Sequence, residues 1–185
     1  MAGGRPTSRK RILAAAAEVA RESGPGNVSL EAVAGRAGVS KGGLLYNFPS
    51  KAKLMQALVA EYVEEFEASL IEATRPVGGK KRDSLLAAYI RLSVAECAEA
   101  KPSAAWILAA MAEDPDFLAP IKAFRRRLIE RLKAETDDAA TTLICFLAVE
   151  GLRSMRLFEM DDFTTDEHAA VFSSLLATAD RLGGG

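Results

Sequence analysis

A short run of glycine and basic residues near position 42 has the composition of an anion-binding helix start. Lys41, Gly42 and Gly43 follow Ser40, and serine is a residue type that commonly caps a helix. The first amide groups of a helix have no partner within it, and that end carries partial positive charge, so phosphates and base-edge acceptors bind there. Two glycines would let the backbone approach such a partner closely; alternatively, they only relax the first turn of the helix.

Two short helices are predicted on either side of a glycine-containing turn. Ser29 caps the first helix and Gly38 ends it. Ser40 caps the second helix, which reaches about Asn47 before Pro49 prevents its continuation. This arrangement is a helix-turn-helix, in which the start of the second helix enters the major groove of DNA.

The charge of the chain is unevenly distributed, although its net value is only −1. Residues 1–53 carry nine Lys/Arg and three Asp/Glu, a net charge of +6, and the remainder carries 15 and 22, a net charge of −7. Such asymmetry indicates that the N-terminal part meets a polyanion. A basic face that only promotes solubility is the alternative.

The rest of the chain has helical periodicity and no strand pattern. Ser8 is predicted to cap the first helix. Six further helices follow the helix-turn-helix, at about 51–74, 81–99, 103–112, 114–135, 138–158 and 165–182. The sequence therefore predicts an all-α fold of about nine helices: a helix-turn-helix DNA-binding domain at 1–53, joined by a long helix to a C-terminal helical domain at 54–185.

The last two predicted helices are apolar on more than one side, so each needs more than one neighbour. A homodimer interface, formed as a four-helix bundle, is the natural second neighbour, and a deep core is the alternative. The two cysteines, Cys97 and Cys145, lie far apart in apolar helical patterns. We therefore expect both to be small core residues of a protein in a reducing compartment. No stretch approaches the roughly 20 apolar residues that span a bilayer, so we expect a cytoplasmic protein without a membrane partner.

The segment from Val28 to Lys51 resembles the DNA-binding domain of the tetracycline-repressor (TetR) family. The family pattern is Val-Ser-x-Gly-x-Leu-Tyr-x-His/Tyr-Phe-x-Ser/Asn-Lys after an Ala-x-x-Ala-Gly helix end. The corresponding run here is Val39-Ser40-Lys41-Gly42-Gly43-Leu44-Leu45-Tyr46-Asn47-Phe48-Pro49-Ser50-Lys51. The resemblance covers about residues 8–68, whereas the rest of the chain matches only in helix number, order and length.

The resemblance implies base contacts near Lys41 and the two glycines, and phosphate contacts near Tyr46, Asn47 and Lys51. Leu45 replaces a tyrosine that the family commonly has, so a hydroxyl expected to contact phosphate is missing, and Tyr46 is the neighbour able to compensate. Phe48 is expected in the core. The predicted DNA-binding residues are Ser29, Ser40, Lys41, Gly42, Gly43, Leu45, Tyr46, Asn47 and Lys51.

The resemblance also implies a small-molecule cavity among the middle helices, so that 54–185 is expected to be a ligand-binding and dimerisation domain. The predicted wall residues are Tyr62, Tyr89, Trp106, Met111, Phe124, Phe146 and Glu150. Each aromatic residue has an alternative role as ordinary core. Glu150 lies within an apolar stripe, where an unpaired carboxylate is costly, so it either binds a ligand or forms an ion pair with an arginine of a neighbouring helix.

These features predict a ligand-responsive repressor that binds a palindromic DNA operator as a homodimer, is released by a small molecule, and has no cofactor or metal. An enzyme is a poor fit, because the single histidine, His168, lies in an acidic stretch expected to be exposed, with no catalytic partners around it. Two alternatives remain open: a helical carrier or interaction module with a degenerate helix-turn-helix, and a ligand-independent regulator or an activator.

Overall fold

The computed structural model describes residues 7–24, 27–76, 83–97, 111 and 114–183, with the side chains of 96 and 97 excepted. Within these ranges the chain is helical, without strands. Its eight helices are α1 (Ser8–Ser23), α2 (Leu30–Ala37), α3 (Lys41–Asn47), α4 (Lys51–Ala73), α5 (Leu85–Cys97), α6 (Ala119–Ala134), α7 (Ala139–Leu157) and α8 (Thr165–Leu182). The helix predicted at 103–112, including Trp106, lies outside the described residues except for Met111. None of the described helices is long and apolar enough to cross a membrane.

The chain divides into two compact units. The first consists of Met1–Val63 and Pro102–Lys122, and the second of Glu64–Lys101 and Ala123–Gly185. Each unit has its own buried apolar core.

The core of the first unit is built by α1 packing against α2 and α3. Ile12, Val33 and Leu44 are fully buried, one from each of these helices. Phe48 is also buried, at 2% exposure, as its position before Pro49 predicted, and the guanidinium of Arg9 lies 4.5 Å from the centre of its ring. Three helices and an aromatic plug thus fix the helix-turn-helix as a packed module.

The turn between α2 and α3 depends on Gly38. Its φ of 63° is in the left-handed region, which glycine adopts without steric cost. Arg11 Nη2 of α1 donates a hydrogen bond to the carbonyl oxygen of Ala37, at 2.5 Å. Gly38, which ends α2, therefore also sets the change of chain direction between α2 and α3. Arg11 of α1 holds this turn in place.

The predicted cap of α1 and the predicted first residue of α6 are both wrong, and neighbouring residues explain each difference. The hydroxyl of Thr7, and not of Ser8, accepts a hydrogen bond from the backbone amide of Lys10 and caps α1. The helix expected from Asp114 begins at Ala119, after a turn. Pro120 explains this shift, because proline fits the first turn of a helix, where its missing amide has no partner to lose.

In the second unit, α5 packs against both α7 and α8. All six residues from Leu85 to Ile90 are buried, so α5 is central to this unit. Cys145 of α7 is buried as predicted, and burial raises the pKa of its thiol. The side chain of Cys97 lies outside the described residues.

Candidate functional site

The start of α3 has the capping geometry that the sequence predicted. The hydroxyl oxygen of Ser40 accepts a hydrogen bond from the backbone amide of Gly43, at 3.0 Å. Ser29 does the same for α2, accepting from the amide of Ala32 at 3.1 Å. Both serine side chains therefore fix the ends of the two helices, which sets the position of the α3 N-terminus.

The surface of α3 exposes several of the predicted contact residues. Tyr46 is 90% exposed and Leu45 is 36% exposed. In the same helix, the side-chain amide of Asn47 donates to the carbonyl of Gly43, at 2.8 Å, and it is half-buried. A tyrosine so exposed contributes little to the core, which leaves its ring and hydroxyl available to a partner of the protein.

The two glycines of α3 have different surroundings. A Cβ at Gly43 would lie 3.3 Å from the hydroxyl oxygen of Ser40, whereas a Cβ at Gly42 would approach that oxygen only to 3.9 Å. A Cβ at Gly42 would therefore make only ordinary van der Waals contact, whereas Gly43 lies tightly against the cap. Only at Gly43 would a side chain press on the cap of the helix.

The predicted basic residues lie at the two ends of this surface. Lys41, the first residue of α3, forms an ion pair with Glu31 of α2 at 2.5 Å, and both side chains are more than half exposed. Lys51 is the half-buried first residue of α4, which Ser50 caps by accepting from the amide of Lys53 at 3.1 Å. The exposed pair at Lys41 is weak, because solvent screens it.

A second candidate site lies in the second unit, around Glu150 of α7. The hydroxyl of Tyr89 on α5 donates a hydrogen bond to Glu150 Oε1, and Arg125 Nη2 of α6 lies 2.5 Å from Oε2. The carboxylate is 14% exposed. Burial, the negative charge of Glu150 and the hydrogen bond to it raise the pKa of Tyr89, so its phenol stays protonated and acts as a donor.

Aromatic rings pack against Tyr89, the hydrogen-bond donor to this carboxylate. Tyr89 stacks on Phe146 with ring centres 5.6 Å apart, and Phe66 of α4 meets both Tyr89 and Phe124 edge-on, at 6.3 and 5.7 Å. The structure thus brings together four of the predicted wall residues: Tyr89, Phe124, Phe146 and Glu150.

The other predicted wall residues are not part of this cluster. Tyr62, 44% exposed, and Met111, 37% exposed, belong to the first unit, and Trp106 is outside the described residues. Sequence reasoning missed Phe66 and Arg125 as members. Phe66 continues the four-residue apolar spacing of Leu58 and Tyr62, which by itself indicates only a core position. No signal distinguished Arg125 from the two arginines that follow it.

An apolar face remains exposed on α7. Ile144 and Leu147, three residues apart, are 64% and 63% exposed. They lie on a helix that the sequence predicted to need a second neighbour.

His168 is more enclosed than its acidic neighbours in the sequence suggested. Its side chain is only 14% exposed, and its Nε2 lies 2.9 Å from Asp161 Oδ1. The rings of Phe163 and Phe172 lie 5.7 and 6.0 Å away and cover it. The expectation of an exposed histidine is therefore wrong, because the loop before α8 folds back over the start of that helix. Within the described residues, no group of His, Cys, Asp or Glu side chains is arranged to hold a metal ion.

Two family profiles match the chain. Residues 12–58 match "Bacterial regulatory proteins, tetR family", and residues 83–180 match "Tetracyclin repressor-like, C-terminal domain". The chain therefore belongs to the TetR family of transcriptional regulators, a kind of protein that is generally not an enzyme.

Solved structures agree with this fold. SCO7518 from Streptomyces coelicolor A3(2) is 23% identical with a TM-score of 0.65, covering 97% of this chain and 100% of its own. A TetR transcription regulator from Haloarcula marismortui ATCC 43049 is 18% identical with a TM-score of 0.66, covering 95% and 97%. The multidrug binding protein EbrR, complexed with ethidium, is 21% identical with a TM-score of 0.64, covering 94% and 98%. No curated protein matches the chain in sequence.

Proposed function

We propose that this chain is a ligand-responsive transcriptional repressor that binds a palindromic operator as a homodimer. The observation that carries the proposal is the surface of α3, where an exposed Tyr46 follows a capped, glycine-containing helix start on a rigid module. In a helix-turn-helix this is the end that meets base edges and phosphates. The basic residues of positions 1–53 supply the electrostatic part of DNA affinity.

Dimerisation follows from the apolar face of α7. A single helix-turn-helix reads few base pairs, and two modules about 34–36 Å apart read a palindrome. Ile144 and Leu147 give α7 an apolar stripe that water disfavours, and a second copy of α7 and α8 would cover it.

The cluster around Glu150 is the candidate effector site. It combines aromatic walls with a polar group, the composition typical of small-molecule sites. EbrR, with the same fold, binds ethidium, which supports ligand binding as a property to test in this chain. A ligand with higher affinity for the DNA-free state lowers DNA affinity by linkage. This role in gene regulation would place the protein in the cytoplasm.

The test is a fluorescence-anisotropy titration of the full chain against duplex DNA from just upstream of its own gene. A scrambled duplex of equal length is the control, and both are measured at two salt concentrations. We expect tight, sequence-selective binding that weakens steeply with salt, because phosphate contacts release counterions. Lys51→Ala should weaken binding to both duplexes by a similar factor, since phosphate contacts carry no sequence information.

Equal binding to both duplexes would count against a specific operator in that DNA, and footprinting across the genome would then locate any other. No binding at low salt to either duplex would overturn the proposal. In that case a helical carrier with a degenerate helix-turn-helix would be the better explanation.

A further inference from the structure

A turn far along the chain completes the core of the DNA-binding unit. Phe117, in the segment 114–118 before α6, is fully buried. It belongs to the same apolar cluster as Leu44 of α3 and Leu54 of α4, and Leu118 packs against that cluster. Phe117 lies 63 positions after Leu54 in the sequence, yet it is part of the module that presents α3.

Polar contacts tie the same turn to the start of α4. Lys53 Nζ lies 2.7 Å from the carboxylate of Asp114, and the side-chain amide of Gln56 donates to the carbonyl oxygen of Asp116 at 2.6 Å. Lys53 Nζ also donates to Gln56 Oε1, at 3.1 Å, which links the two contacts. The hydrogen bond from Lys53 holds the pKa of Asp114 below its usual value, so the carboxylate stays charged near neutral pH.

The turn is itself preformed. The backbone amide of Asp116 donates to Asp114 Oδ1, at 3.0 Å, and the amide of Phe117 donates to the carbonyl oxygen of Asp114, at 2.9 Å. These local bonds fix the direction in which Phe117 leaves the turn. The segment is thus a hydrogen-bonded turn that its buried Phe117 anchors in the core.

We propose that this turn positions α3 for DNA, with Phe117 and Asp114 as positioning residues that do not touch DNA themselves. The inference rests on the proposed function of α3. Only Phe48, Pro49 and Ser50 separate α3 from α4, and Phe48 is buried in the same cluster. A segment that fixes the first two turns of α4 therefore limits how far α3 can shift.

The test compares the full chain with Phe117→Ala, Phe117→Leu, Asp114→Asn and a matched control, Leu132→Ala. Leu132 is likewise buried, at 2% exposure against 0% for Phe117, but lies in the second unit. DNA affinity is measured at a temperature where circular dichroism shows each variant fully folded. Hydrogen exchange of the peptides covering 41–58 is measured in parallel, without DNA.

We expect Phe117→Ala to weaken specific DNA binding about tenfold, and Asp114→Asn about threefold, with faster exchange across 41–58 in both. Phe117→Leu should restore most of the affinity, because it refills most of the cavity. Leu132→Ala should lose stability but leave DNA affinity and exchange across 41–58 unchanged.

Unchanged affinity in both Phe117→Ala and Asp114→Asn would overturn the proposal, as would equal losses in Leu132→Ala. If Phe117→Ala does not fold, the DNA affinity and hydrogen exchange of Asp114→Asn test the proposal alone. This variant removes only one partly exposed ion pair, to Lys53, and should still fold. If the unaltered chain binds no DNA, the proposed function fails. The exchange data then test the positioning of α3 separately, and unchanged exchange across 41–58 would overturn it.

Discussion

The hydroxyl of Tyr89 donates a hydrogen bond to Glu150, joining α5 to α7 in the interior of the second unit. Arg125 of α6 occupies the other carboxylate oxygen, so both oxygens of Glu150 have partners. A carboxylate enclosed to this degree is stabilised only through such partners. Any effector that reaches Glu150 would therefore have to replace one of these contacts or bind beside them.

Replacing Tyr89 by phenylalanine tests the energetic weight of this bond. We expect Tyr89→Phe to lower the free energy of unfolding by about 1–3 kcal/mol, because a mostly buried carboxylate oxygen loses its donor. Urea denaturation followed by circular dichroism measures the change. Tyr46→Phe is the control, since Tyr46 is 90% exposed and should leave stability unaltered. Equal stability of both variants would contradict the assignment.

Gly38 is expected to be intolerant of any side chain. Gly38→Ala places a Cβ 3.1 Å from Arg11 Nη2 at a φ of 63°. The cost should be about 1–3 kcal/mol in the free energy of unfolding. Gly35→Ala is the matched control in α2, because nothing lies within 4 Å of its Cβ. Gly35→Ala should stabilise the helix by about 0.5–1 kcal/mol. Thermal denaturation measures both variants, and a stability change of the same sign in Gly38→Ala and Gly35→Ala would refute this explanation.

A side chain at Gly43 should change which DNA sequence is preferred. Gly43→Ala presses on the hydroxyl of Ser40 and adds a methyl group to the end of α3 proposed to enter the groove. We expect the ratio of affinities for the operator and a scrambled duplex to change about tenfold. Gly35→Ala is again the control and should keep this ratio. Equal losses on both duplexes would remove Gly43 from the base-reading residues.

The exposed stripe of α7 predicts the oligomeric state. The unaltered chain should have twice the mass of one chain by light scattering, and Leu147→Glu should have the mass of one, because a buried unpaired carboxylate opposes association. Ile71→Glu provides the comparison, since Ile71 is a 50% exposed apolar residue on α4. A dimer that persists in Leu147→Glu would place the interface elsewhere.

Stability should depend on pH through Asp161. Burial raises the pKa of this carboxyl, but the hydrogen bond from Arg156, the charge of His168 and the amide of Phe163 together lower it below the ordinary value of 3.8. A lowered folded-state pKa means that the carboxylate stabilises the fold above pH 3.8, and that this contribution is lost as pH falls through the folded-state value.

Asp161→Asn should therefore destabilise the protein above about pH 5, and the difference from the unaltered chain should shrink below about pH 4. Denaturation midpoints measured across pH 3–7 test this. Asp180→Asn, at an exposed position of α8, should give no such trend. A difference that grows with acidity would reverse the sign and refute the account.

Local chemistry determined the helix-turn-helix. The caps at Ser29 and Ser40, the left-handed Gly38 and the stop at Pro49 act through neighbours within a few residues, so the sequence predicted them correctly. The same logic failed at Ser8, where the adjacent Thr7 was an equivalent cap. It also failed at Asp114, because Pro120, six positions beyond the expected first residue, favours a later start.

Contacts between residues far apart in the sequence decided two points that the helical pattern left open: the partner of Glu150 and the core that contains Phe117. Three consecutive arginines begin at Arg125, and only the direction in which α6 faces α7 selects Arg125 as the partner of Glu150. The sequence shows that Phe117 is apolar but does not say which core it enters. The tertiary structure places it with Leu44 and Leu54, because burial of an apolar ring depends on space between elements and not on distance along the chain.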